Sequence, residues 1–129
     1  MEAAPPVAAP EPAVPQLAHI LRQHAEQAAF LWVIYDRARL FPDENPEMDE
    51  LRIARVVERL EAHLDGLRIA GAAGLAMAEA RFAEYPEPGE LFVIRMLQPG
   101  AEAMRIATLD LPRVRAYLAE TLPPGADQA

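Results

Sequence analysis

Glu58-Arg59-Leu60-Glu61-Ala62-His63-Leu64-Asp65-Gly66-Leu67-Arg68-Ile69-Ala70-Gly71 decides the fold class. Extended backwards, its apolar residues Ile53, Val56, Val57, Leu60, Leu64 and Leu67 recur three and four apart, which places them on one stripe of a helix. Arg52, Arg55, Glu58, Arg59, Glu61 and Asp65 fall on the other side, which is expected to face water. A helix with so clean a stripe must lay it against something, and the rest of the chain offers only further helical segments. The expectation is an all-α, antiparallel domain of five to six helices.

The composition sets the bounds. A chain of 129 residues is long enough for one core and short for two. Its 26 alanines favour helix while burying little area each, so the helices should be many and closely packed. The basic residues are all arginine, with no lysine and no serine, a pattern that fits codon bias of a GC-rich genome. They are dispersed along the chain without a basic run, and the formal charge is −8. Nucleic acid and bare anionic membrane are therefore disfavoured, because phosphate binding needs clustered cations. With no cysteine there is neither a disulfide nor thiolate chemistry. No basic-then-apolar leader and no run of about 20 apolar residues occurs, so no membrane span is expected and the cytoplasm is the default compartment.

Residues 1–15 hold five of the 13 prolines among alanines and read as a disordered tail. The first helix should run from about Pro15 or Gln16 to Arg39. Leu17, Leu21, His24, Ala28, Leu31, Trp32 and Tyr35 line one side of it, and Phe30, Val33 and Ile34 line a second. That two-sided apolar character marks it as the central helix, sandwiched among the others from Ala28 to Tyr35. Leu40 to Pro46 is a connection, with Asn45 as N-cap and Pro46 opening the second helix. A bend is expected around Gly71, then a third helix over Ala72–Glu84, where Gly74 and Ala78 admit a neighbouring backbone. Leu91 to Leu97 is read as helix, because a lone strand would leave its backbone groups unpaired. A short helix over about Ala101–Ala107 and a last one over Leu111–Thr121, capped by Asp110, complete the domain of residues 16–122. Residues 123–129 should fray.

Chemistry is sparse. His19 and His24 do not share a helix face, and His63 and Asp65 point apart. A metal or catalytic site would have to be assembled between helices from His24, His63 and Glu61. Glu58, Glu61 and Asp65 form an acidic stripe without a nucleophile or oxyanion donors beside it, so a solvated face is the simpler reading. Thr108 and Thr121 lack any motif, and Gly66, Gly71 and Gly74 are not followed by the Lys-Ser/Thr pair of a phosphate loop. His24 is most simply a core-edge residue making a side-chain hydrogen bond. No cofactor and no metal is expected.

Two stretches, His24-Ala25-Glu26-Gln27-Ala28-Ala29-Phe30-Leu31-Trp32 and Glu58 to Gly71 as quoted, resemble the N-terminal segment of a bacterial family of HEAT-repeat proteins whose genes accompany type VI secretion clusters. Glu87-Pro88-Gly89-Glu90-Leu91-Phe92 is similar to a third piece in the same order, and the resemblance covers about residues 16–98. It implies a solenoid-related helical fold and a scaffold or interaction role, with no catalytic residues. The chain departs from the family pattern in stopping where tandem helix-pair repeats would begin. The functional expectation is a non-enzymatic protein-interaction module with a protein partner, and the alternative is an immunity or adaptor protein binding a secreted toxin. Arg55, Glu58, Arg59 and Glu61 are the expected contact residues.

Overall fold

The computed structural model describes residues 15–124, so the two expected tails lie almost wholly outside the described residues. Five α-helices and one 3-10 turn follow in order: α1 Pro15–Leu40, α2 Glu50–Ile69, α3 Ala72–Glu84, α4 Pro88–Leu97, the turn Ile106–Thr108, and α5 Leu111–Thr121. No strand occurs among the described residues, and none of their helices is long and apolar enough to cross a membrane.

The second helix starts later than expected. Asn45 closes a turn instead, its side chain accepting from the Glu47 amide at 3.2 Å and its carbonyl from Met48 at 3.0 Å. Asp49 is the N-cap of α2, extended in backbone and accepting from the Arg52 amide at 2.9 Å. Both residues satisfy the chemistry of a cap, but starting at Glu50 brings Ile53 in as the first buried residue of the stripe. Leu60, Leu64 and Leu67 follow it into the core, completely covered, each worth about 1.5–3 kcal/mol of transfer free energy.

The turn into α3 is made at Gly71, whose φ of +64° is a conformation that side-chain-bearing residues rarely adopt. The chain then folds back so tightly that a methyl group on Gly74 would lie 2.0 Å from the Leu67 carbonyl oxygen. Gly74 and Ala78 are both buried at this seam. A similar approach joins α4 to α1, where a Cβ on Gly89 would stand 2.7 Å from the Ala29 carbonyl oxygen. Small residues thus set the distance between α2 and α3 and between α1 and α4.

Leu91 to Leu97 is helical as expected, and α4 is the most enclosed element. Leu91, Phe92, Val93, Ile94 and Met96 are all buried, on every side of the helix. Its Phe92 ring stacks flat on the Trp32 indole, centroids 3.9 Å apart and planes 5° from parallel. Around its N-terminal end, Arg81 of α3 reaches Glu26 of α1 at 3.3 Å and Glu90 of α4 at 3.6 Å, tying three helices. Burial raises the Glu90 carboxyl above its ordinary value in spite of that cation.

The expected central role of α1 holds in part. Ala28, Ala29, Leu31, Trp32 and Tyr35 are buried, but Phe30 and Val33 are exposed. The helices that cover α1 pack onto one side of it, drawn close by its small residues, and the opposite apolar side meets water. The expected Ala101–Ala107 helix is also replaced by turns and the single 3-10 turn Ile106–Thr108. Its backbone is held from outside: the Ile106 amide, buried, donates to Glu61 Oε2 at 2.8 Å. The last helix has the expected bounds, with Asp110 accepting from the Arg113 amide at 3.2 Å. Val114 and Leu118 are its buried stripe, and Arg115 anchors it to Asp36 of α1 at 2.6 Å.

Candidate interaction surface

The four expected contact residues separate into two groups. Arg55, Glu58 and Arg59 stand on the exposed outer side of α2. Glu61 does not join them, since its side chain is only 18% exposed. It sits on the flank of the stripe, where the 98–110 segment covers it. One carboxylate oxygen accepts from Ile106, and the other is buried with no hydrogen-bond partner among the described residues, 4.0 Å from both Arg68 and Arg105. Glu61 is therefore an internal brace rather than a surface residue.

The two histidines pair with each other, while Glu61 is engaged by Ile106. His24 of α1 and His63 of α2 meet, Nδ1 to Nδ1 at 3.0 Å, with ring centroids 5.2 Å apart. One ring must donate and the other accept, so His24 makes the expected side-chain bond and its partner is the other histidine. Gly66 lies directly beneath the His24 ring, where a Cβ would come within 2.7 Å of Nε2. Partial burial, then the neighbouring His24 and Arg59, lower the His63 pKa below 6.5. No group of three or more His, Asp or Glu side chains that could hold a metal ion occurs among the described residues. Gly66 and Gly74 lie where helices pack closely, and Gly71 makes the turn that opens α3.

A different surface emerges from the uncovered side of α1. Phe30 is 59% exposed, Val33 49% and Phe41 49%. Phe30 and Val33 are one helical turn apart on α1, and Phe41, just beyond the end of that helix, shares a cleft with Val33, so the three form a ridge rather than scattered single residues. On one flank of the ridge, Ile34, Ala38, Phe41, Pro42 and Met48 line a cleft of about 290 Å³. On the other, Val33, Leu40, Phe41 and Pro88 line one of about 200 Å³. Arg37 lies across both clefts, its guanidinium 5.4 Å from the Phe41 ring centroid and paired with Glu44 at 2.6 Å. The arrangement offers apolar area with one anchored cation at its centre, bordered by the carboxylates of Glu44 and Asp36, which suits recognition of a partner.

Compared with protein-family models, with curated proteins and with solved structures, the chain matches none. Phe30 and Val33 are legible in the sequence as part of a second apolar side, whereas Phe41 reads as part of the connection after α1. Nothing local in the sequence distinguished whether a neighbouring helix would cover that side.

Proposed function

We propose that this protein is a non-enzymatic helical interaction module that engages a protein partner through the Phe30, Val33 and Phe41 ridge and its flanking clefts. One observation carries the reading: large apolar side chains stand in water on the helix that also organises the core. Leaving Phe30 59% exposed forgoes part of its burial in folding, and covering the remainder would supply about 1–2 kcal/mol to an association. An apolar or amphipathic partner segment laid along α1 matches this shape. The charged side of α2, with Arg55, Glu58 and Arg59, is the rival contact face.

The resemblance of Glu58 to Gly71 to the leader of type VI-associated HEAT-repeat proteins makes a cytoplasmic accessory of that secretion system the setting in which to seek the partner. A second reading, an immunity or adaptor protein for a secreted toxin, is favoured by the formal charge of −8, which steers a basic partner. The test is recovery of partners from the native host with wild-type protein and with a Phe30→Glu, Val33→Glu double variant whose melting is unchanged. Partner lost from the variant supports the ridge. Equal recovery by both proteins refutes it, and a steep fall in association rate with salt selects the toxin-binding reading.

A further inference from the structure

Among the described residues, two arginines that are near each other in the fold, Arg95 and Arg113, have no carboxylate partner. Both line one cleft of about 380 Å³ between α4, the 3-10 turn and α5, and Arg105 lines it with them. Arg95 is part-buried, and its Nη1 has only thioether sulfurs for company, Met104 Sδ at 3.9 Å and Met96 Sδ at 4.0 Å. Its guanidinium is propped 5.5 Å from the Tyr117 ring centroid. Thioethers are weak acceptors, so a held and partly desolvated cation keeps most of its hydrogen-bonding capacity unused.

The other groups of the cleft point the same way. Arg113 lies in the first turn of α5, where a cation opposes the helix dipole, and its side chain has no acceptor among the described residues. Arg105 donates to the Met104 carbonyl at 3.3 Å and approaches Glu61 no closer than 4.0 Å. The one acid of the lining is Asp110, whose carboxylate caps α5 through the Arg113 amide at 3.2 Å. Three arginines against one aspartate leave two positive charges in the cleft of a protein whose net charge is −8. Thr108, whose hydroxyl bonds the Arg105 carbonyl at 3.1 Å, adds a hydroxyl to the lining. Three arginines spread over 19 positions of the sequence are thus gathered here by the fold.

We propose that this cleft binds a small polyanion through its phosphate or carboxylate oxygens, with Arg95 and Arg113 as the main contacts and Arg105 completing the set. Planar guanidinium groups bind either oxyanion through paired hydrogen bonds, and a multiply charged ligand neutralises the local excess. The cleft holds a small molecule and not a strand of nucleic acid, which the acidic remainder of the surface repels. None of its lining residues belongs to the α1 ridge, so this site and the interaction reading stand or fall separately.

The experiment is an amide-resolved NMR titration of the full chain with pyrophosphate and, in a second arm, citrate, at constant ionic strength. Saturable shifts confined to residues around 95 and 104–114 are expected, and whichever arm binds more tightly identifies phosphate or carboxylate as the natural group. Arg113→Gln, at an exposed position, should fold normally and bind about tenfold more weakly, the loss of one charge-assisted contact. Arg95→Gln should do the same. Arg55→Gln and Arg59→Gln, exposed arginines outside this cleft, should leave binding unchanged. Shifts that do not saturate, shifts centred on residues 52–59, or affinity indifferent to Arg95 and Arg113 would each overturn the assignment.

Discussion

Replacing Gly74 with alanine sets two effects of opposite sign against each other. Within a helix, alanine is favoured over glycine by about 1 kcal/mol, so at an open position the change would stabilise α3. Gly74 is not open: the new Cβ would stand 2.0 Å from the Leu67 carbonyl oxygen, 2.8 Å from its carbon and 3.1 Å from its Cα. All three are backbone atoms of α2, so no side-chain rotation relieves the contact. The two helices must separate by more than 1 Å at a seam that buries Leu67 and Ala78 completely or nearly so. Overpacking of this kind costs about 1–3 kcal/mol even where side chains yield, and here the backbone must move. The loss should therefore exceed the propensity gain, giving a net destabilisation of about 2 kcal/mol or more. That is a large share of the roughly 5–15 kcal/mol typical of a domain this size. Urea unfolding followed by far-ultraviolet circular dichroism reads the effect as a lower midpoint at unchanged slope. A Gly74→Ala protein as stable as the wild type, or more so, would refute the close approach of α2 and α3.

Three other outcomes are expected. Phe92→Ala, which removes a fully buried ring stacked on Trp32, should cost about 3–5 kcal/mol, whereas Phe30→Ala should stay within about 0.5 kcal/mol; equilibrium unfolding compares them. Glu61→Ala should cost about 1–3 kcal/mol by leaving the buried Ile106 amide unpaired, and Glu58→Ala, on the exposed side of the same helix, should be near neutral in the same assay. The lowered His63 pKa means that the unfolded chain binds this proton first as pH falls below 6.5. The neutral ring's contribution is thus present above that value and is lost on descending through the folded-state pKa. Melting temperatures measured from pH 7 to pH 5 should fall more steeply for wild type than for His63→Gln, and parallel curves would contradict the coupling.

Much of the fold is legible in the residues because it is local. The α3 and α5 bounds follow from Gly71, Asp110 and Pro112, whose conformational demands act within one turn. The apolar run from Leu91 to Leu97 is helical because helix satisfies its own backbone wherever it is buried. What escapes is whatever depends on contacts distant in sequence. Glu61 reads as an exposed acid until the Ile106 amide, 45 positions away, is placed on it. His24 and His63 are 39 positions apart, and neither helix alone announces their meeting. The choice between Asn45 and Asp49 as cap turns on which start feeds Ile53 into the core, a tertiary matter that capping chemistry leaves undecided. Phe30 and Val33 show the limit most plainly. Helical periodicity identifies them as a second apolar side, but only the positions of the other helices determine that this side is uncovered.

On the function proposed above, the uncovered side of α1, rather than the charged side of α2, meets the partner. A photo-reactive phenylalanine analogue placed at position 30, and separately at position 58, tests it directly by crosslinking inside the native host. A discrete protein adduct is expected from position 30, abolished by Val33→Glu, and none from position 58. An adduct from position 58 alone, or none from position 30 in cells growing under several conditions, would contradict it.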